Sequence, residues 1–231
     1  MAELTIQPSA KDTNLVENEA NRSFGTAGSL LVLDRLGQRQ RTVLEFDLSG
    51  LPAGATLNSA TLQLYYRDKS GAVEGKTIWA YKLTRTDWLE GILESPSTAG
   101  ATWNDYKIVG ETHYQWTTPG GDYVTSSPAG GSAVVPGSYG WISWDVLAIV
   151  QDAYDASKPA EFLLRFETEG LEGEDFGDII CKPKEFADED KPKLVITYTV
   201  PGWTGKIGGV TNPAKVMGVD VANIAKVKGV A

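Results

Sequence analysis

The side chains able to do covalent chemistry are scarce in this chain, which has one histidine, His113, and one cysteine, Cys181. A nucleophilic triad needs a Ser or Cys nucleophile, a His base and an acid that orients it. His113 sits in an aromatic-rich loop and no G-x-S-x-G elbow accompanies it, so no triad is expected. Zinc asks for about four His or Cys ligands at close spacing, and two residues far apart in sequence do not supply them. Cys181 has no partner for a disulfide and reads as a small hydrophobe beside a strand. Carboxylates are plentiful, at 30 Asp plus Glu. Glycoside hydrolysis needs one pair of them at a set separation, and nothing in the spacing nominates that pair. Neither G-x-x-x-x-G-K-[ST] nor a strand-linked G-x-G-x-x-G occurs. The chain is therefore expected to bind rather than to catalyse.

Two kinds of recognition chemistry remain. Calcium takes only oxygen ligands, and Glu172, Glu174, Asp175 and Asp178, or Asp188, Glu189 and Asp190, offer them, without a strict D-x-D-x-D-G loop. No obligatory cofactor is expected, with calcium left open. Sugars present C–H faces that stack on aromatic rings, and hydroxyls or uronate carboxylates that pair with Arg, Asp and Asn. Seven Trp and nine Tyr make that chemistry available. Trp79, Tyr81, Trp116 and Tyr123, with Arg67 and Arg85, are the candidate carbohydrate-binding residues, whereas Trp88, Trp103, Trp141 and Trp144 read as packing at strand ends.

Strands must position these rings. Over residues 39–66, Leu44, Phe46 and Leu48 alternate with Val43, Glu45 and Asp47, and the S-G-L-P-A-G-A-T turn leads to Leu62, Leu64 and Tyr66. The pattern predicts a central hairpin whose first strand is half-buried. An edge strand is expected at 4–7 and another strand at 29–33, with a polar segment from Lys11 to Gly25 between them that, apart from Asp12–Thr13 and Asn21–Gly25, reads as a solvated loop. Over 77–83 Trp79, Tyr81 and Leu83 alternate with Ile78, Ala80 and Lys82, so both faces are partly apolar and the strand lies inside a sandwich. The stretch 90–139 is too long for a plain connection. A strand at 141–145 leads into one helix, capped by Asp145 and carrying Val146, Ile149, Val150 and Ala153 on one face. Strands at 161–167, with Phe162, Leu164 and Phe166 inward, and at 193–199, with Leu194, Ile196 and Tyr198 inward, complete the domain. The expected fold is all-β: a jelly-roll-like antiparallel β-sandwich over 1–200 with one short helix, followed by an extended tail over 201–231.

The run R-x-V-L-x-F-D-L-S-x-L-P-A-G-A-T-x-x-S-A-T-L-x-L-Y at 41–65 resembles the signature of the bacterial DNRLRE-type domains, close to carbohydrate-binding module family 96. L-T-R-T-D-W-L-E-G at 83–91, A-T-W-N at 101–104, G-G-D-Y at 120–123, G-W-I-S-W-D-V at 140–146 and F-A-D-E-D-K-P-K-L-V-I-T-Y at 186–198 fit the same family. So do Asp12 with Thr13, and Asn21 through Gly25. The resemblance spans roughly residues 5–199 and implies polysaccharide binding. Glu45 departs from it, standing where many relatives have a basic or neutral residue, which counts against acidic-polymer binding by that strand.

A formal charge of −9 argues against nucleic acid as a partner, because that affinity rests on Lys and Arg. No stretch is apolar enough to span a membrane, and the start M-A-E-L-T-I-Q-P lacks the basic and apolar regions of a signal peptide, so export of the chain alone is not expected. From Pro201 the composition changes: K-I-G-G-V at 206–210, K-V-M-G-V at 215–219 and K-V-K-G-V at 226–230 form a degenerate repeat, rich in lysine with a single acid. Units this short and Gly-rich bury nothing alone and must dock on something. The tail resembles C-terminal segments of tailed-phage structural proteins, with Trp203, Ile207, Val210, Val216, Val219, Ile224, Val227 and Val230 as its assembly residues. The expected function is therefore a non-enzymatic virion subunit, a head decoration, fibre or tail-associated protein. Its partners would be other virion proteins, copies of itself and host-surface or environmental polysaccharide. The alternative is the polysaccharide-binding module of a cell-surface or secreted bacterial protein.

Overall fold

The computed structural model describes residues 1–125 and 130–200, together with four short paired strands between 206 and 220. Eleven strands form one antiparallel sheet in the order Ala2–Ile6, Lys193–Thr199, Thr56–Gly71, Gly177–Cys181, Leu30–Leu33, Gln40–Phe46, Ala160–Phe166, Thr77–Lys82 and Gly130–Val134. Gly140–Asp145 pairs with Thr56–Gly71, and Lys11–Val16 with Gln40–Phe46. The sheet curls over on itself. Its front layer contributes Leu44, Phe46, Ile78, Ala80, Phe162 and Leu164 to the main core, and its back layer Leu62, Leu64, Ile142, Trp144, Leu194 and Ile196. The helix Leu147–Asp155 plugs one end through Ile149, Val150 and Ala153, and Asp145 Oδ1 accepts the Leu147 N–H at its start. The all-β sandwich with one helix is thus the observed fold, and the strands at 77–83, 141–145, 161–167 and 193–199 stand within a residue of their expected bounds. Cys181 lies in the main core, where burial pushes its thiol up to about 12.

Three expectations are corrected. Residues 39–66 are not a hairpin: Gln40–Phe46 pairs with Lys11–Val16 and Ala160–Phe166, whereas Thr56–Gly71 pairs with Lys193–Thr199, Gly140–Asp145 and Gly177–Cys181. The Pro/Gly turn carries the chain from one layer to the other. It buries Leu48, Leu51 and Ala55 in the core, and Tyr154 pins it by donating to Pro52 O at 2.6 Å and accepting the Ala55 N–H at 2.9 Å. Period-two alternation is identical for a hairpin and for a crossing between layers, because both aim the same residues at one core.

Second, Lys11–Val16 is a strand, with Asp12, Thr13 and Asn14 buried. Leu30–Leu33 meets Gln40–Phe46 through the single pair Leu33 and Gln40. Asn14 fills the gap like a piece of backbone: its Nδ2 donates to Ser29 O at 2.8 Å and its Oδ1 accepts the Leu31 N–H at 2.9 Å. Buried polar groups that are paired this way cost little, so polarity did not keep the segment out of the sheet.

Third, Gln40–Phe46 is buried on both faces. Val43 and Leu163 point away from the main core into a second cluster with Leu15, Leu83, Trp88, Ala101, Trp103, Tyr106 and Trp116. Much of residues 84–125 is therefore an ordered cover over the outer face of the front layer. Each large side chain buried there stabilises it by roughly 1.5–3 kcal/mol. The G-G-D-Y turn seats this cover. Gly120 and Gly121 have φ of +87° and +105°, and a Cβ would lie 2.7 Å from Trp103 and 2.4 Å from Leu163 respectively, so only glycine lets the backbone approach this closely.

In the tail, Lys206–Ile207 pairs antiparallel with Val210–Thr211 and Lys215–Val216 with Val219–Asp220, which places Ile207, Val210, Val216 and Val219 in short paired strands. Trp203, Ile224, Val227 and Val230 lie outside the described residues.

Candidate functional site

Successive side chains on Thr77–Lys82 alternate between the main core and the outer face of the front layer, so Ile78 and Ala80 go inward while Trp79 and Tyr81 stand outward two residues apart. Arg165 and Leu163 lie directly opposite Trp79 and Tyr81 on the neighbouring strand. The two outward rings lie 5.7 Å apart with planes 16° from parallel. Tyr123, brought in by the G-G-D-Y turn, adds a third ring 4.9 Å from Tyr81. All three are half-buried, so this is a short aromatic ladder open to solvent on one side.

Polar groups fix each rung. Trp79 Nε1 donates to Glu167 Oε1 at 3.1 Å, and Arg165 Nη1 donates to the Tyr123 hydroxyl at 2.6 Å. Beneath them Glu169 accepts from Arg41 Nε and Nη2 at 3.0 and 2.7 Å and lies 3.2 Å from Arg165 Nη2. Arg41 Nη1 donates to Gly120 O at 2.8 Å, which ties the turn to the same carboxylate. Beside the ladder opens a cleft of about 570 Å³ lined by Arg41, Thr84, Arg85, Thr118, Asp122 and Tyr123, among others. Asp122 accepts the Thr117 and Thr118 N–H groups at 2.8 and 2.9 Å, and Arg85 Nε stands 3.6 Å from it with the guanidinium 5.0 Å over the Tyr106 ring.

Of the six residues nominated from sequence, the structure brings Trp79, Tyr81 and Tyr123 together and places Arg85 in the adjoining cleft. Trp116 is elsewhere: it is buried in the second cluster and its Nε1 donates to Thr102 O at 2.9 Å, which leaves no open ring face. Arg67 donates to Ser29 Oγ at 2.5 Å and lies over Phe186, away from the ladder. Arg41, Arg165, Glu167 and Glu169 went unnominated. Arg165 shares its strand face with Leu163, so the period-two pattern could have found it; Glu169 lies past the strand end and no pattern points to it.

A second polar array sits under the cover. Glu161 lies directly opposite Glu45, which lies opposite Lys11. Trp88 Nε1 donates to Glu161 Oε1 at 2.8 Å, and the Lys11 ammonium sits 2.5 Å from Glu45 Oε2 and over the Trp88 ring at 4.6 Å. Burial, and then the neighbouring Glu45, push the Glu161 carboxyl up to about 8. Both effects favour the protonated form of Glu161.

Among the described residues the carboxylate group whose oxygens converge, within 4.8 Å of one another, is Asp12, Glu90 and Glu185. These three could hold a cation, but the Lys184 ammonium already lies 3.1 Å from Glu90 and 2.6 Å from Glu185. Burial is the main reason that Asp12 is pushed up to about 7. The calcium candidates near 172–178 and 188–190 do not converge in this way. Asp188 and Asp190 instead flank Lys182. His113 Nδ1 lies 3.0 Å from Asp105 Oδ2, joining the small hairpin of Asp105–Val109 and Thr112–Gln115. No helix among the described residues is long and apolar enough to cross a membrane.

The model of carbohydrate-binding module family 96 matches residues 3–118, which hold Trp79, Tyr81 and most of the cover. No curated protein matches the chain.

Proposed function

The chain belongs to carbohydrate-binding module family 96, and we propose that it binds a polysaccharide strand laid along Trp79, Tyr81 and Tyr123, with Arg85 and the neighbouring cleft taking the hydroxyls of an adjacent unit. The ladder carries this reading. Pyranose C–H faces pack on flat apolar rings, and polar tips around those rings fix the orientation. The back layer also exposes aromatic residues, Tyr65 and Trp141, but Lys182 and Lys193 lie over them at 4.4 and 3.8 Å. Among the described residues no cation covers Trp79 or Tyr81 in that manner.

Tyr81→Ala and Trp79→Ala are each expected to weaken binding about tenfold, the effect of losing a central interface side chain worth over about 1 kcal/mol. Affinity electrophoresis through gels loaded with a panel of polysaccharides reads this as lost retardation, with little change in melting temperature. Trp141→Ala should migrate like the parent. If retardation instead survives in both ladder variants and is lost in Trp141→Ala, the site is on the back layer and this assignment is wrong.

The repeat tail favours a second element of function, display on an assembly. The module would be held by residues 201–231 on a phage particle, against other virion proteins or copies of itself, with a bacterial cell surface or secreted protein as the alternative setting. Support comes from the three K-x-x-G-V units and their resemblance to phage structural tails. By light scattering the full chain should assemble while a chain stopped at Val200 remains a folded monomer. Equal monomeric masses would remove self-assembly from the reading and leave the sugar site as it stands.

A further inference from the structure

The outer face of the front layer does not end at Trp79. Thr77 lies two residues before it on the same strand and so stands on the same side. Glu167 lies opposite, its N–H donating to Thr77 O at 2.9 Å. On the other flank the edge strand Gly130–Val134 sets Ser132 against Trp79 and Val134 against Thr77. Ala133 packs against the main core, so its neighbours Ser132 and Val134 face outward, and Val134 is 59% exposed. Its methyl groups extend the apolar surface of the ladder by one position. Beside them opens a second cleft, of about 340 Å³, lined by Lys76, Thr77, Glu167, Thr168 and Leu171, among others. Internal bonds fix its walls. The Lys76 ammonium donates to Asp34 Oδ2 at 2.7 Å and to Asp175 O, and the Val135 N–H donates to Lys76 O at 2.9 Å. Glu167 joins the cleft to the ladder, since its Oε1 also takes the Trp79 Nε1–H.

The rings are thus flanked at both ends, by the cleft of Arg85 and Asp122 past Tyr81 and by that of Glu167 and Thr168 past Trp79. Thr84 lines the first cleft and Thr77 the second. Seven steps along the strand and its continuation, at ~3.3 Å each, put them roughly 23 Å apart. That is several times the 5.7 Å between the Trp79 and Tyr81 rings. A ligand confined to those rings would leave both clefts empty. A longer one meets the Val134 face and the hydroxyl of exposed Thr168 once its first units are seated, when each further contact is intramolecular. Resting on the carbohydrate-binding reading above, we infer that the sugar site runs through both clefts, with Val134, Glu167 and Thr168 as a further subsite beyond Trp79. It takes a run of several sugar units along the strand, not a single ring or a disaccharide.

The test is calorimetric titration of the full chain with size-fractionated oligosaccharides cut from alginate, xylan and β-glucan, from dimers to octamers. For the sugar that binds, affinity should climb at least about tenfold from trimer to hexamer, the gain from linking a further contact to those already made. Val134→Ser combined with Thr168→Val should remove most of that climb and leave trimer binding at the parent value, with an unchanged melting point. Tyr81→Ala should weaken trimer and hexamer alike. Equal affinity of trimer and hexamer in the parent would overturn the further subsite and leave the ladder as the sugar site, as would a double variant that binds the hexamer as the parent does. Hexamer binding that is lost in the double variant but intact in Tyr81→Ala would move the sugar off the ladder and overturn the reading beneath. No binding of any oligosaccharide would count against both.

Discussion

Glu169→Ala is expected to destabilise the fold by about 3–5 kcal/mol, the usual cost of removing one partner from a buried ion pair. The side chains of Glu169 and Arg41 are 4% and 6% exposed, and Arg165 shares the same carboxylate at 18% exposure. Deleting the carboxylate leaves two guanidinium groups facing each other with little water to screen them. At this chain length each kcal/mol moves the melting point by roughly 2–4 °C, so thermal melts should fall by on the order of 10 °C. The loss extends to the ladder, because Arg41 holds Gly120 and Arg165 holds Tyr123. Glu169→Gln keeps an acceptor oxygen and should lose less. Arg41→Met combined with Glu169→Leu should cost clearly less than the sum of the two single changes, since neighbours in one network are not additive. A melting point within about 2 °C of the parent for Glu169→Ala would show that the triad is not buried as described.

Stability is expected to fall as pH rises, the reverse of an ordinary acid-denaturing protein. Glu161 is pushed from 4.5 up to about 8, and Asp12 from 3.8 up to about 7, both chiefly by burial. A carboxyl raised in the folded state binds its proton more tightly there than in the unfolded chain. Its contribution is fully present below the unfolded value and is lost as pH climbs through the folded one. For Glu161 that window runs from 4.5 to about 8, and for Asp12 from 3.8 to about 7. Each tenfold gain in proton affinity on folding is worth about 1.4 kcal/mol, so the decline between pH 5 and 8.5 should amount to several kcal/mol. Glu17 works the other way: Arg39 holds it below the usual carboxylate range, so its contribution is lost only in acid. Melting points should therefore peak near pH 5. Glu161→Gln keeps an acceptor for Trp88 without a charge, and should flatten the curve across the window from 4.5 to about 8. A profile that is level or rising from pH 5 to 8.5 in the parent would contradict the raised carboxyls of Glu161 and Asp12.

The fold was legible where one face of a strand meets one core. Phe162, Leu164 and Phe166, or Leu194 and Ile196, have a period that says both strand and side. It became illegible where two solutions share one pattern. Residues 39–66 alternate as a hairpin would, and only the identity of the pairing partners shows that they cross between layers. Lys11–Val16 was hidden because Asp12 and Asn14 are buried as hydrogen-bonding parts, a role that composition does not display. At the candidate site, Trp79 and Tyr81 could be found by their spacing on one strand. Trp116 could not be told from Tyr123, because both lie in the long segment after Leu83 and the cover that buries one and exposes the other is tertiary.

The second cluster has a bearing on how a ligand would be met. Because the front layer is clamped between the main core and the cover, the backbone beneath Trp79 and Tyr81 is held from both sides, and Glu167 and Arg165 restrain two of the three rings. The protein then has little conformational freedom left to give up when a sugar arrives, so the ordering entropy of association falls mostly on the glycan. A preorganised ladder that grips any one unit weakly can still retain a long polymer, since each repeat along the strand offers another register at which to dock.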